Sequence, residues 1–315
     1  MHPPLETPIA LLIFNRPKET AKVLSSIRQV RPRQLFVVAD GPRKDVPEDI
    51  ENCALARAAI DGVDWPCDVQ TNYSVGNLGC RKRVSNGLDW VFALVEEAIV
   101  LEDDCLPEPS FFPYCENLLQ RYRDNPKIMV ISGANLFKRF QATEDSYYYS
   151  RYPLIWGWAS WRRVWQQHYD VDIQRWPEMR EQGWLNRFLQ PLECLYWGRL
   201  FDQVCNGLDT WDYSLLFTCW LNDGLALHPR RNLVSNIGWG ADATHTKDPD
   251  CALARLPSYP MTFPLRHPKR LERHAEADDR LERLTYSGTL ARTISIVHES
   301  IQARRDIERG PLRER

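Results

Sequence analysis

The sequence has no excess of charge of either sign, no long apolar run and no paired-cysteine motif, and each absence excludes a class of protein. Forty Lys and Arg stand against 42 Asp and Glu, for a formal net charge of −2. Nucleic-acid binding draws its affinity from Lys and Arg facing phosphate, so this balance argues against such a partner. The longest clean apolar run, Ile9 to Phe14, is far short of the ~20 residues that span a bilayer. Residues 1–8 are polar and proline-rich, unlike a signal peptide. Nine cysteines are scattered with no CxxC pair, which fits neither a zinc cage nor a disulfide framework. Reduced thiols and a cytoplasmic location are the expectation. Neither a GxxxxGK[ST] nor a GxGxxG loop occurs.

What is present is an ordinary globular composition, 43% hydrophobic and 26% charged over 315 residues. That suffices for about two domains, or for one large α/β domain with an appendage. In residues 1–135, buried strands alternate with amphipathic helices. Apolar runs at Ile9–Phe14, Leu35–Ala39, Ala98–Leu101 and Ile128–Ser132 have strand length, and a shorter strand is expected around Cys67–Thr71. Helical spacing follows at 17–30, 47–60, 80–95 and 110–123. Runs apolar on both faces predict a mostly parallel sheet covered by helices, with ligands beyond the carboxyl ends of its strands. Residues 136–246 are mixed in period, and ten of the 12 tryptophans lie between Trp156 and Trp239. Such a cluster builds a large core or lines a cleft. Residues 247–315 turn proline-spotted and then charged, with one amphipathic helix expected at Leu290, Ile294, Val297 and Ile301.

The sharpest feature is Val100-Leu101-Glu102-Asp103-Asp104. A buried strand delivers three carboxylates where it emerges, and adjacent acids repel unless something positive sits among them. A hard divalent cation, Mg²⁺ or Mn²⁺, is one such partner, because it takes oxygen ligands and keeps positions open for phosphate. An acidic turn capping the helix near Ser110 is the alternative. Asn77 to Arg83 joins glycines to three basic residues at a helix start, a setting that suits phosphate or an ordinary surface helix.

The strand with its acidic end, followed by Pro107, Glu108 and Phe111-Phe112, resembles the Glu-Asp-Asp segment of GT-A nucleotide-sugar transferases of the N-acetylglucosaminyltransferase I type. It is also similar to bacterial family 2-like and haemolysin-related (HlpA-like) glycosyltransferases. The resemblance extends over roughly residues 8–246. It implies a GT-A fold with a donor half (1–135), an aromatic-rich acceptor half with a lid loop (136–246) and a charged C-terminal extension (247–315). It implies Asp104 as the metal ligand, with Glu102 and Asp103 on the ribose or on metal-bound water. Asn15 and Arg16 would meet the donor after the first strand, Asp40 would read uracil, and Arg83 would face the base and diphosphate. Trp156-Gly157-Trp158 is similar to an acceptor-side segment. Trp239 would cover the sugar, and His245 would reach the diphosphate or the metal.

The activity so implied is transfer of a hexose or N-acetylhexosamine from a nucleotide-diphospho-sugar, UDP-linked by the resemblance, to a glycan or lipid-linked acceptor. Inversion would use Asp212 as base, with Asp209 as fallback. Asp212 also reads as the start of a helix through Leu215 and Trp220. The mixed-sign tail leaves peripheral membrane contact open. Two further readings stay in play. A sugar nucleotidyltransferase shares the α/β plan and the acidic ligands, although Asn15-Arg16-Pro17-Lys18 lacks the glycine such enzymes carry after the first strand. A non-catalytic carbohydrate-binding protein would use its tryptophans to stack on sugars.

Overall fold

The structure, a computed structural model, describes residues 3–239 and 256–286. It divides into two compact units, Met1–Val171 with Asp209–His274, and Asp172–Leu208 with Ala275–Arg315. The predicted helix at 290–301 lies outside the described residues.

In the first unit the chain runs β1 (Ile9–Ile13), α1 (Pro17–Val30), β2 (Gln34–Ala39), α2 (Glu48–Ala58), β3 (Asp68–Tyr73), α3 (Cys80–Leu94) and β4 (Glu97–Glu102). After it come β5 (Cys105–Pro107), α4 (Phe111–Tyr122), β6 (Ile128–Ser132), β7 (Tyr147–Ser150), β8 (Trp158–Trp161) and α5 (Arg162–His168). The second unit contributes α6 (Trp176–Glu181) and α7 (Pro191–Cys205). The chain then returns through α8 (Asp212–Leu221), β9 (Leu225–Pro229) and β10 (Val234–Asn236) to the first unit, and α9 (Ala275–Thr285) belongs again to the second.

Among the described residues, eight strands form one sheet in the order β3-β2-β1-β4-β8-β6-β9-β7. The first four are parallel, as the continuous apolar runs predict: β1, β2, β4 and β6 are buried almost end to end. The half beyond β4 is mixed. β8 runs antiparallel to both β4 and β6, and β7 antiparallel to β9. The expected α/β architecture is therefore present, a mostly parallel sheet flanked by helices. A separate ribbon pairs β10 with β5.

The aromatic cluster resolves toward core. Trp158, Trp161, Trp165 and Trp211 are buried. Trp158 stacks on Trp211 at 5.6 Å between ring centroids, and Trp165 on Tyr169 at 3.9 Å. Tyr147, Tyr148 and Tyr149 are buried too, and the hydroxyls of Tyr147 and Tyr149 meet that of Tyr122 at 2.6 and 2.8 Å. These rings stabilise the sheet and offer no face to a glycan.

His228 on β9 is 1% exposed. Its Nε2 lies 2.6 Å from the Tyr152 carbonyl, which can only accept, so Nε2 carries the proton. Its Nδ1 then accepts from the Tyr148 hydroxyl at 3.3 Å. Burial pushes the imidazole down to about 4. The unfolded chain takes up this proton near pH 6.5 and the folded chain does not, so stability is lost as pH falls from 6.5 to 4. The loss is about 3 kcal/mol. His228→Gln should lower the urea midpoint at pH 7 and flatten its fall between pH 6.5 and 4.5. An unchanged pH slope would place the acid sensitivity elsewhere.

Candidate functional site

The chain leaves β1 for β2 and β3 on one side and returns to β4 on the other. The carboxyl ends of β1 and β4 therefore flank the switch point at which open α/β sheets bind ligands. Leu12 lies beside Glu102 in the ladder, so the residues after β1 face those after β4.

Three contacts tie the two ends together. The Phe14 N–H donates to Asp103 Oδ2 at 2.9 Å. Arg16 Nη1 donates to Asp103 Oδ1 at 3.0 Å and to Asp104 Oδ2 at 2.7 Å. The side chains of Arg16, Asp103 and Asp104 are 19, 6 and 13% exposed. The positive group that three adjacent acids require is thus supplied by the protein itself. Burial, then the charge of Asp104, pushes Asp103 up to about 6 against the pull of Arg16. Glu102 is raised well above the carboxylate range by burial and by Asp104, Asp103 and Asp212 in turn. Its Oε1 is buried with no hydrogen-bond partner. Among the described residues no group of three His, Cys, Asp or Glu is placed to hold a metal ion.

The segment after β10 closes on this corner. The Ile237 N–H donates to the Asp104 carbonyl at 2.8 Å. A Cβ on Gly238 would stand 2.3 Å from Asp104 Oδ2, so only glycine lets the backbone lie there. Trp239 follows, edge-on to Trp156 at 6.2 Å, with its buried Nε1 unpartnered. His245 lies outside the described residues.

The remaining predicted residues serve neighbouring loops. Asn15 donates to Asp49 at 2.7 Å, and Asp49 also takes Arg43 Nε at 2.6 Å. The Asp40 carboxylate accepts the N–H groups of Gly41, Leu78 and Gly79 and the Asn77 amide. It thereby shapes the loop into α3. Burial raises its pKa, opposed first by the Leu78 and Gly41 amides. Arg83 reaches the Asn72 carbonyl at 2.5 Å, at the end of β3. Asp212 opens α8 and takes the Thr210 hydroxyl.

Asp209, the fallback base, accepts the N–H groups of Cys80 and Arg81 at 3.1 and 2.8 Å and so closes the α3 N-terminus. Gly79 at φ +80° lets it approach. Arg57 on α2 donates to the carbonyls of Asp40 and Ser74. A lone arginine on a surface helix gives no sequence signal for that role. A cavity of about 560 Å³ lies along the outer edge of β3, lined by Arg57, Trp65 and Tyr73 among others, away from the carboxylates.

No family model matches the sequence. No curated protein matches it either. Several solved structures resemble the chain at low identity. A 4-diphosphocytidyl-2C-methyl-D-erythritol synthase from Anaerococcus prevotii is 10% identical, with a TM-score of 0.38, covering 71% of this chain and 89% of its own. A UDP-glucose pyrophosphorylase complexed with UDP-glucose is 9% identical, with a TM-score of 0.36, covering 71 and 90%. A cytidylyltransferase from Leptospira borgpetersenii is 10% identical, with a TM-score of 0.32, covering 59 and 72%. By name these are a synthase, a pyrophosphorylase and a cytidylyltransferase, and none is a glycosyltransferase. That finding corrects the expectation of glycosyl transfer. Among the described residues no helix is long and apolar enough to cross a membrane.

Proposed function

We propose that the chain joins the nucleoside monophosphate of a nucleoside triphosphate to a sugar phosphate and releases pyrophosphate. One observation carries the reading: the Arg16 guanidinium lies between the carboxylates of Asp103 and Asp104 at the sheet's switch point. A polyphosphate needs fixed positive charge where the leaving group gathers electrons; Arg16, shared between two carboxylates, would supply part of it from the loop after β1 and a divalent cation the rest. Asp103 holds Arg16 and the Phe14 amide in place.

A sugar phosphate oxygen is already an anion at neutral pH. It attacks the α-phosphorus, a new P–O bond forms, and the bond to the bridging oxygen of the β-phosphate breaks, its electron pair leaving with pyrophosphate. No protein base is needed. Glu102, with its buried and unpartnered Oε1, and Asp104 are the two carboxylates that would hold a divalent cation, with substrate phosphates and water as its further oxygen ligands. Such an ion, when bound, neutralises phosphate charge.

The test is pyrophosphate release from a panel of nucleoside triphosphates and sugar 1-phosphates with Mg²⁺ or Mn²⁺. Release that requires both substrates is expected. No release from any pairing, or release of a nucleoside diphosphate from a nucleotide-sugar instead, would overturn the reading.

A further inference from the structure

The two edges of the main sheet differ. At one edge β7 is covered by its own chain. A bridge joins Tyr149 to Arg273, the His274 N–H donates to the Tyr149 carbonyl at 2.8 Å, and the whole strand is buried. At the other edge β3 pairs only with β2 among the described residues. The N–H groups of Asp68 and Ser74 donate inward, to the carbonyls of Arg33 and Ala39 at 2.8 and 2.9 Å. The two-residue period of a strand then turns the N–H and C=O groups of Val69, Thr71 and Tyr73 outward. Thr71 and Tyr73 are exposed.

Such an edge is a template for another strand, and soluble proteins blunt it with lysine, proline, a bulge or a covering segment. β3 carries neither lysine nor proline, and its register with β2 is unbroken. Val75, just past its end, is 95% exposed, an apolar group that a neighbouring strand would shelter.

The sequence of the strand, Asp68-Val69-Gln70-Thr71-Asn72-Tyr73, is self-complementary. Antiparallel pairing with an identical strand, about a twofold axis at Thr71, uses every outward group. Thr71 then faces Thr71 and Val69 faces Tyr73, with two hydrogen bonds at each pairing. Threonine pairs and aromatic–β-branched pairs are both favourable across strands. On the opposite face Gln70 meets Asn72. The one charged residue, Asp68, meets Ser74, so no like charges oppose each other. The cavity of about 560 Å³ lined by Val69 and Tyr73 leaves room beside Val69 for the tyrosine ring of the other copy.

We infer that β3 pairs with β3 of a second copy of this chain and joins the two sheets into one. The inference does not rest on the nucleotide-dependent reaction, since β3 carries none of the carboxylates at the switch point.

The experiment is analytical ultracentrifugation of the whole protein over a concentration series, with reductant present because Cys205 is exposed. Wild type should pass from one chain toward two as concentration rises. Thr71→Pro should weaken self-association by roughly tenfold or more, because each copy loses an N–H at the axis. That N–H takes no part in pairing with β2, and edge strands accept proline there, so the fold should persist. Thr71→Lys and Thr71→Glu should each stay monomeric, because like charges then stand opposite at the axis. An equimolar mixture of those two should pair again, which damaged folding could not produce. A wild type that stays a single chain throughout, a dimer that all three variants leave intact, or a mixture that stays monomeric overturns the inference. If Thr71→Pro fails to fold, the two charged variants decide.

Discussion

Asp104→Asn is expected to lower the rate of pyrophosphate release by on the order of 10²–10³, the loss typical when one electrostatic stabiliser of a transition state is removed. The fold should survive. Asparagine keeps the shape of the side chain, and Arg16 retains its contact with Asp103 at 3.0 Å. The Ile237 N–H bonds the Asp104 backbone carbonyl rather than its carboxylate, so the ribbon keeps its place. Steady-state kinetics against the divalent-cation concentration is the measurement. The variant should lose maximal rate and need more cation for half of it. Wild-type turnover with an unchanged cation dependence would remove Asp104 from the site.

Arg16→Met should act on stability as much as on activity. It removes the cation between two carboxylates that are 6 and 13% exposed. Breaking a buried pair by deleting one partner costs about 3–5 kcal/mol, because a charge is left buried and uncompensated. Asp103, held at about 6 with Arg16 present, should then move higher. An acid whose folded pKa lies above its unfolded one stabilises the fold most at low pH and loses that contribution as pH rises through the folded value. The variant should therefore be more destabilised relative to wild type at pH 8 than at pH 5. Adding Asp103→Asn should restore part of the loss at pH 8. Urea melts at the two pH values measure both effects, and an equal penalty at each would mean that the ion pair contributes little.

The strands were legible because burial on both faces leaves an unbroken apolar run. Ile9–Ile13 and Ile128–Ser132 end within a residue of where hydropathy places them. Trp158–Trp161, which runs against its neighbours, was not, since four residues rich in tryptophan carry no directional signal. The three acids at the end of β4 announced a need for positive charge but not its source. Arg16 stands 87 positions from Asp103, and only the parallel pairing of β1 with β4 brings them together. Asp209 shows the same limit. Its carboxylate meets amides 128 and 129 positions away, while its local sequence suggests only a loop acid. Composition announced the tryptophan cluster, but the choice between core and cleft depended on the sheet it packs against.

The ribbon of β5 and β10 has a consequence for the order of synthesis. Asn236 pairs with Cys105, directly after the acidic corner, so that corner is buttressed by residues made long after it. A nascent chain that ends before Val234 can already align β1, β2, β3 and β4 as neighbours, yet its carboxylates would emerge from the ribosome without their brace. Chains truncated at that point should therefore build a native-like half-sheet that is more vulnerable to proteases around residues 103–107 than the finished protein.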